Sequence, residues 1–447
     1  MARHSGERKA ASQPLKIIIV GAGFAGICAA VECRLRGMEV ILIEKFTNSN
    51  QYGDIIDFMP NAGRTIASWD NGRVAKDILK RCVTKAECFK MCTADGVPFF
   101  DEPWFADPSH DGYMFAGHRG EMWQIILDYA VSVGVIFRVG RGVEQYLEEE
   151  DKAGVRLAGG EEIWGDCVLA ADGPKSIARQ QVLHLPDHSA SSGYAIYRAY
   201  FHATPEMAAN PLLAEFLRPD VDTVKVWLGK DAHMIGYGWN GGKDIVWVMT
   251  HKDTHDIKES WSFPGDKKEA LSYISDFSDQ CKAICEATPE QQLTDYKLIW
   301  RDHLDCWRSD NGLTMLIGDA AHCHLPTSAQ GGSQAIEDAQ VAAICLQRCG
   351  GDVRLALKVT ERIRYSRSKA THEWGRTLRD AWHNNVDAAL QVENGGEDIS
   401  NVRRPWVTDL DVAAHAEEHF EHLAEDVRNG RQGTIEELAL PAGGNFL

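Results

Sequence analysis

The chain has 447 residues, 44% of them hydrophobic and 25% charged, a composition typical of globular proteins. Its length predicts two to three domains. A net charge of −18 argues against nucleic acid or an anionic membrane as partner, and no apolar run reaches the roughly 18 residues that would predict a bilayer span.

Residues 1–14 are polar and basic without an apolar centre, which predicts a disordered arm rather than a secretory signal. Residues 15–20 form a nearly continuous apolar, β-branched run, the pattern of a strand buried on both faces of a parallel sheet. Gly21, Gly23 and Gly26 follow in G-x-G-x-x-G spacing. Helical apolar spacing runs over 24–36, with Gly37 as its stop. A second buried strand over 38–43 is closed by Glu44. This is a βαβ unit with a dinucleotide fingerprint. Gly21 permits the tight turn, Gly23 lets backbone amides approach a pyrophosphate, and Gly26 lets helix pack on strand. The helix N-terminus attracts the phosphate charge. Glu44 lies 18 residues past Gly26, near the roughly 20 expected for a carboxylate on a ribose hydroxyl. Lys45 beside it joins the cofactor-binding candidates. NAD, NADP and FAD all fit this unit.

A loop over 45–57 holds Gly53 and Asp54. A short helix is expected over 60–69, and strand-like pieces over 88–91 and 97–100, with turns at Asp95-Gly96 and Asp111-Gly112. A helix over 121–133 follows His118-Arg119-Gly120, then a strand over 135–139 and a hairpin or ribbon from 143–147 and 155–157. Residues 164–171 read as one buried strand ending in Asp172-Gly173. From 194 to 250 the pattern alternates and is rich in aromatics, predicting an antiparallel sheet with one face half-buried. Tyr197, Trp227, Tyr237, Trp239 and Trp247 are candidates to wall an aromatic pocket or to form plain core. His233 and His324 are candidate polar groups of that pocket. Neighbours in a strand point to opposite faces, so Tyr197 and Arg198 share a cavity only if a bulge intervenes. A helix is expected over 267–286, a buried strand over 313–317 ending in Gly318-Asp319, and long helices over 334–349 and 353–379.

The strands at 15–20, 38–43, 165–171 and 313–317 thus belong to a discontinuous nucleotide-binding domain (15–81, 113–185 and 299–385). A substrate-binding domain is assigned to 82–112 and 186–298, and a C-terminal arm with helices to 386–447. Twelve cysteines form no C-x-x-C, and the four-apart pairs 88/92, 281/285 and 345/349 lack a matching His or second pair at zinc spacing. Free thiols in a reducing cytoplasm and no bound metal are expected.

Two further strand ends carry chemistry. One reads Asp172-Gly173-Pro174-Lys175-Ser176, continuing to Arg179; the other reads Gly318-Asp319-Ala320-Ala321-His322, continuing to Pro326 and Ala329-Gln330-Gly331-Gly332, then Glu337-Asp338. The carboxyl edge of such a sheet is where a nucleotide binds. Asp319 can accept from ribityl or ribose hydroxyls, and Gln330, Gly331 and Gly332 can offer backbone N–H groups ahead of a helix. The competing reading is that each Asp caps the helix after it.

These three motifs, in this order, resemble those of the class A flavin-dependent aromatic hydroxylases, the group with the fold of para-hydroxybenzoate hydroxylase. The resemblance covers about residues 15–385. It implies an α/β fold: a discontinuous Rossmann-like FAD-binding domain of the GR2 type, an inserted antiparallel-sheet substrate domain and a helical C-terminal part. It implies FAD as cofactor, NAD(P)H as co-substrate, and transfer of one atom of O2 from a flavin C4a-hydroperoxide to an electron-rich carbon. By the same resemblance Glu44 holds the adenosine ribose and Arg119 reaches the FAD ribose and phosphates. Asp319 binds the pyrophosphate–ribityl region, Asp172 supports both FAD and NAD(P)H, and Pro326 lines the reacting face of the flavin. The family's Gly-Gln-Gly is Ala329-Gln330-Gly331 here. That variant is similar to fungal enzymes that oxidise prenylated indole alkaloids by 2,3-epoxidation, some continuing to a spiro-oxindole. Those enzymes also match Gly53-Asp54 and Tyr197-Arg198. Arg198 is then the candidate to stabilise a developing phenolate, enolate or indole-derived alkoxide, Asp54 to orient an indole N–H or act as base, and Tyr197 to assist. The expected substrate is an aromatic or indole-type secondary metabolite, hydroxylated or epoxidised, and the expected state is a monomer or homodimer. Competing readings are a phenol-, salicylate- or polyketide-type aromatic hydroxylase, an NAD-dependent dehydrogenase, and a flavin halogenase, whose W-x-W-x-I-P is absent from the chain.

Overall fold

The computed structural model describes residues 13–47, 55–103, 113–186, 190–253, 263–384 and 405–431. The all-apolar runs read above become a parallel sheet. Its five strands lie in the order Thr314–Leu316, Cys167–Ala170, Lys16–Val20, Glu39–Glu44 and Ile136–Val139. Ile18 lies between Val168 on one side and Ile41 on the other. Successive residues of a strand face opposite ways, so a strand covered on both faces must be apolar throughout. Ile17, Ile18 and Ile19 are accordingly all fully buried. The helix Phe24–Leu35 packs on Gly331–Arg348, so the first and last nucleotide motifs meet although they are far apart in the chain.

The expected strand over 164–171 is two strands. Glu162–Gly165 closes a three-stranded antiparallel ribbon with Ala153–Leu157 and Val143–Glu148, and only Cys167–Ala170 enters the parallel sheet. The switch occurs where the Asp166 carboxylate accepts from Lys16 N at 2.7 Å. Gly165 passes so close to the first strand that a Cβ there would lie 2.6 Å from Lys16 O.

An eight-stranded sheet carries the second layer. Its order is Phe263–Pro264, Thr294–Trp300, Ala190–His202, Asp244–Lys252, Ala232–Trp239, Thr223–Gly229, Cys88–Thr93 and Pro98–Pro103. The strand Cys88–Thr93 joins parallel to Thr223–Gly229, bringing an early segment into the later sheet. Alternation sorts the aromatics by face. Tyr237 and Trp239 lie with Met59, Trp374 and Trp382 on the side that meets the loop at Ala329, whereas Tyr197, Trp227 and Trp247 pack together on the other side. The helix expected over 267–286 is two helices, Lys267–Tyr273 and Asp279–Ala287. Ser278 starts the second by accepting from Cys281 N at 3.3 Å.

The C-terminal part is helical. Val353–Asn384 runs 32 residues, and Val412–Arg428, capped by Asp411, packs on it and on Gly331–Arg348. The fully buried Phe420 seats that last helix. No helix among the described residues is long and apolar enough to cross a membrane.

Candidate active site

The glycine turn after the first strand has the geometry of a phosphate cradle. Gly21 adopts φ +95°, and its N–H donates to Ile43 O at 2.8 Å. A Cβ on Gly21 would meet Ala171 O at 2.3 Å, and one on Gly26 would meet Gly21 O at 1.8 Å. By contrast, no protein atom lies within 4 Å of a Cβ built on Gly23 or Gly173. Two glycines therefore serve close packing, and two face open space where a ligand can approach the backbone. The helix that starts at Phe24 has no side-chain cap and no acid in its first turn. Its N–H groups are left for an anion. Glu44, half-buried, accepts from Ala22 N at 2.8 Å and from Phe46 N at 3.0 Å, which fixes its carboxylate at the mouth of the turn. Each oxygen keeps a further lone pair for a hydroxyl. Lys45 is exposed, its ammonium 4.9 Å over the Phe46 ring.

The other two motifs are tied to each other. Arg179 donates from Nε to Ala320 O at 2.7 Å and from Nη2 to Asp319 O at 3.0 Å. Asp172 Oδ2 accepts from the Tyr146 hydroxyl at 3.0 Å, and its Oδ1 is buried without a partner. Burial raises the Asp172 carboxyl above its ordinary range, opposed by hydrogen bonds from Ser176 and Tyr146. Burial likewise raises Asp319, opposed by the charges of His322, Arg119, Arg179 and Arg301. Arg119 is exposed at the first position of the helix Arg119–Ser132, which His118 caps by accepting from Glu121 N at 3.2 Å. A cavity lined by Pro174, Tyr296, Arg301, Asp319, His324 and Pro326 brings both motifs together with the strand Thr294–Trp300. The helix Gly331–Arg348 starts from the same loop, preceded by Gln330 and without a side-chain cap, and Gly332 packs against Phe58. Open-faced glycines, two uncapped helix ends and an unpartnered Asp172 oxygen fit a large, polar, phosphate-bearing cofactor.

Behind this loop lies a buried charge network. Asp338 accepts from Gly318 N at 2.9 Å, from His322 Nε2 at 2.6 Å and from Arg364 Nε at 2.8 Å. These partners hold the Asp338 carboxyl down at about 2 although burial opposes them. Glu337 pairs with Arg364 and Arg367 and accepts from Asn61 Nδ2 at 2.5 Å. Sequence reasoning named Glu337-Asp338 but missed Asn61, Arg364 and Arg367. Two arginines three apart in one helix, facing an adjacent acid pair in another, were the signal available.

Arg198 lies half-buried on the cavity side of the large sheet, in a cross-strand row with Thr294 and Val248. Its Nε donates to Thr294 Oγ1 at 3.3 Å and its guanidinium sits 5.2 Å over the Tyr296 ring. Tyr197 points to the opposite face. It is fully buried and stacks on His251 with ring centroids 4.7 Å apart. The strand does contain a bulge, but between Ser191 and Ala195, so it does not bring the two side chains together. Tyr197 is a core residue here, as are Trp227 and Trp247. Asp54 lies outside the described residues. Of the two histidines, His324 lines the cavity, bonding Thr371 Oγ1 at 3.0 Å. His233 is buried against His383, with 2.7 Å between Nδ1 and Nε2.

The chain matches the family of FAD binding domains over residues 14–349. It is 35% identical over 373 residues to the flavin-dependent monooxygenase pboD of Aspergillus ustus, covering 78% of this chain and 76% of that protein. It is 33% identical over 440 residues to the notoamide E oxidase notB of an Aspergillus species, covering 97% and 94%. Among solved structures, CtdE in complex with FAD and a substrate superposes with a TM-score of 0.85 at 30% identity, covering 93% of this chain and all of that one. The cradle, the motif order and these matches agree: the chain belongs to the FAD-binding-domain family and is an FAD-dependent monooxygenase.

Proposed function

We propose that this monooxygenase transfers one oxygen atom to an indole-type alkaloid, at the cavity between the Pro326–Gly332 loop and the Arg198 face of the large sheet. FAD, once reduced by NAD(P)H, supplies the chemistry of O2 activation. The protein's residues supply the rest. Gly23, Glu44 and Arg119 grip the adenosine and phosphate end, while Asp172, Gly318 and Asp319 hold the middle of the cofactor. Pro326, Gly331 and Gly332 set the position of its ring. Tyr237, Ile235 and Tyr296 present apolar and aromatic surface that excludes water and takes a flat substrate.

Arg198 carries the reading. It lies on the same sheet face as Tyr296, which lines the cavity beside Lys297 and Arg301. A guanidinium stays protonated and offers several donors, so it can stabilise negative charge developing on an oxygenated carbon skeleton. The relation to a protein named notoamide E oxidase supports this substrate class over a simple phenol. The Ala329 variant of the loop supports the indole-alkaloid branch over a salicylate- or polyketide-type hydroxylase.

The test is a substrate panel. NADPH oxidation in air by the FAD-loaded protein is expected to rise with indole alkaloids and to stay at its basal rate with salicylate and simple phenols. The reverse order refutes the reading. Arg198→Ala is expected to keep FAD binding and lower turnover at least about tenfold, whereas Tyr197→Phe is expected to leave turnover near wild type. Unchanged turnover in Arg198→Ala removes this residue from the mechanism.

A further inference from the structure

A buried polar chain runs from the C-terminal segment to the Gln330–Gly332 loop. It begins at Arg367, only 5% exposed. Its Nη1 donates to Trp406 O at 2.7 Å, and its Nη2 donates to Val407 O at 2.6 Å. The same guanidinium turns its other edge to Glu337, with Nε to Oε2 and Nη2 to Oε1 both at 2.8 Å. Glu337 Oε1 accepts from Asn61 Nδ2, and that amide also lies 3.1 Å from Gln330 Oε1. Gln334 Nε2 donates to the same Gln330 oxygen at 3.1 Å. Gln330 directly precedes Gly331. A second tie runs in parallel: Arg64 Nη1 donates to Thr408 O at 3.1 Å from the helix Pro60–Ser68, which also carries Asn61.

We propose that residues 405–408 form a strap that positions the Gln330–Gly332 loop through Arg367 and Glu337. A guanidinium has five donors in a fixed plane. Here it divides them between strap carbonyls and a carboxylate that Arg364 also holds, so a seated strap adds a constraint on its orientation toward Glu337. If the strap lifts, two donors lose their partners at a buried position, which is costly. The Glu337 carboxylate is then less constrained, and with it Asn61 and Gln330. Trp406 and Val407 lock the strap by burial, Trp406 meeting Trp374 edge-on at 6.2 Å. Toward Arg367 and Arg64 the strap presents backbone carbonyls, those of Trp406, Val407 and Thr408. Arg367 and Glu337 act as positioning residues and touch neither cofactor nor substrate. The inference rests on the reading that Gln330–Gly332 contact the flavin.

Coupling between two sites is reciprocal. If the strap positions the loop, cofactor binding must also hold the strap. Hydrogen–deuterium exchange on the full chain, with and without FAD, reads both ends. FAD is expected to slow exchange in 329–340 and in 405–415 together. In Arg367→Lys, FAD is expected still to protect 329–340 but no longer 405–415, because an ammonium cannot span both carbonyls and the carboxylate. The FAD dissociation constant, read by quenching of flavin fluorescence, is expected to rise about tenfold, within the usual range of coupling. Protection of 329–340 with no change in 405–415 of the wild-type chain overturns the strap and leaves the loop's flavin contact standing. No protection of 329–340 overturns both. If Arg367→Lys fails to fold, the wild-type comparison alone decides.

Discussion

The two ends of the cofactor site are built on different physics. The proposed adenosine end, residues 15–44, is held mainly by apolar packing and backbone bonds among close neighbours. Ile17, Ile18 and Ile19 are fully buried, Gly21 and Gly26 touch backbone, and Glu44 is the charge at the mouth of its turn. The proposed flavin end, residues 318–338, is held by side chains from distant segments: Asn61, Arg179, Arg364 and Arg367. The first end is sensitive mainly to volume, its one buried acid, Glu32, being paired with Arg36 and Trp69. The second is sensitive to charge, because two carboxylates and two guanidiniums are buried together and each must stay paired. An anchor that only has to grip can be built locally, whereas a loop that must place a reacting ring is fixed from several directions.

The largest expected effect comes from breaking the flavin end. Arg364 touches both Glu337 and Asp338 and is fully buried. Arg364→Met should cost about 3–5 kcal/mol, the range for uncovering one side of a buried ion pair, measured by urea unfolding.

Acid should act at the same end. Burial, aided by the charge of His322, holds His372 down at about 4, against an ordinary 6.5. The unfolded chain therefore binds a proton first, and stability is full above pH 6.5 and falls as pH drops toward 4. The loss from this group approaches about 3 kcal/mol by the linkage relation, and His372→Gln should reduce the slope between these values, to which the likewise depressed His383 and His415 also contribute. Asp338 acts in the opposite sense of charge: its depressed pKa gives stability above the ordinary carboxylate range that is lost only as pH falls through about 2. Acid should thus reach the histidine well before the carboxylate.

At the adenosine end the break is steric. Gly26→Ala places a Cβ against backbone and should cost about 1–3 kcal/mol. Gly23→Ala should leave unfolding within about 0.5 kcal/mol, as for an uncrowded substitution, yet weaken FAD binding, read by fluorescence titration. Equal losses of stability in the two variants would erase the distinction between packing glycines and cradle glycines.

The smallest effect concerns Ala329, which sits at φ +50° in the left-handed region. Ala329→Gly should raise stability by about 0.5–1 kcal/mol through relief of that strain. A loss instead would show that the Ala329 methyl packs more favourably than the backbone is strained.

What the sequence revealed follows the same division. Residues 15–44 were legible because turn, helix and strands are coded within one stretch, and their boundaries shift by about a residue. The motifs at Asp172 and Gly318 were legible for the same reason. Residues 164–171 were misread as one strand because hydrophobicity does not record a change of sheet at Asp166. The strand Thr294–Trp300 escaped because its pairing with Ala190–His202 is set by the fold, not by its own pattern. Arg364 and Arg367 escaped because buried arginine is rare and visible only through its partners. The facing of Arg198 and Tyr197 was legible from alternation alone, and which of the two meets the cavity needed the sheet.

Oxygen transfer to an indole-type substrate by the FAD-loaded chain is tested by incubation with FAD, NADPH, an indole alkaloid and isotope-labelled O2, followed by product mass. A gain of one labelled oxygen, with NADPH consumed in step, is the expected result. Consumption of NADPH with the label appearing only as peroxide, across the alkaloid panel, would contradict it.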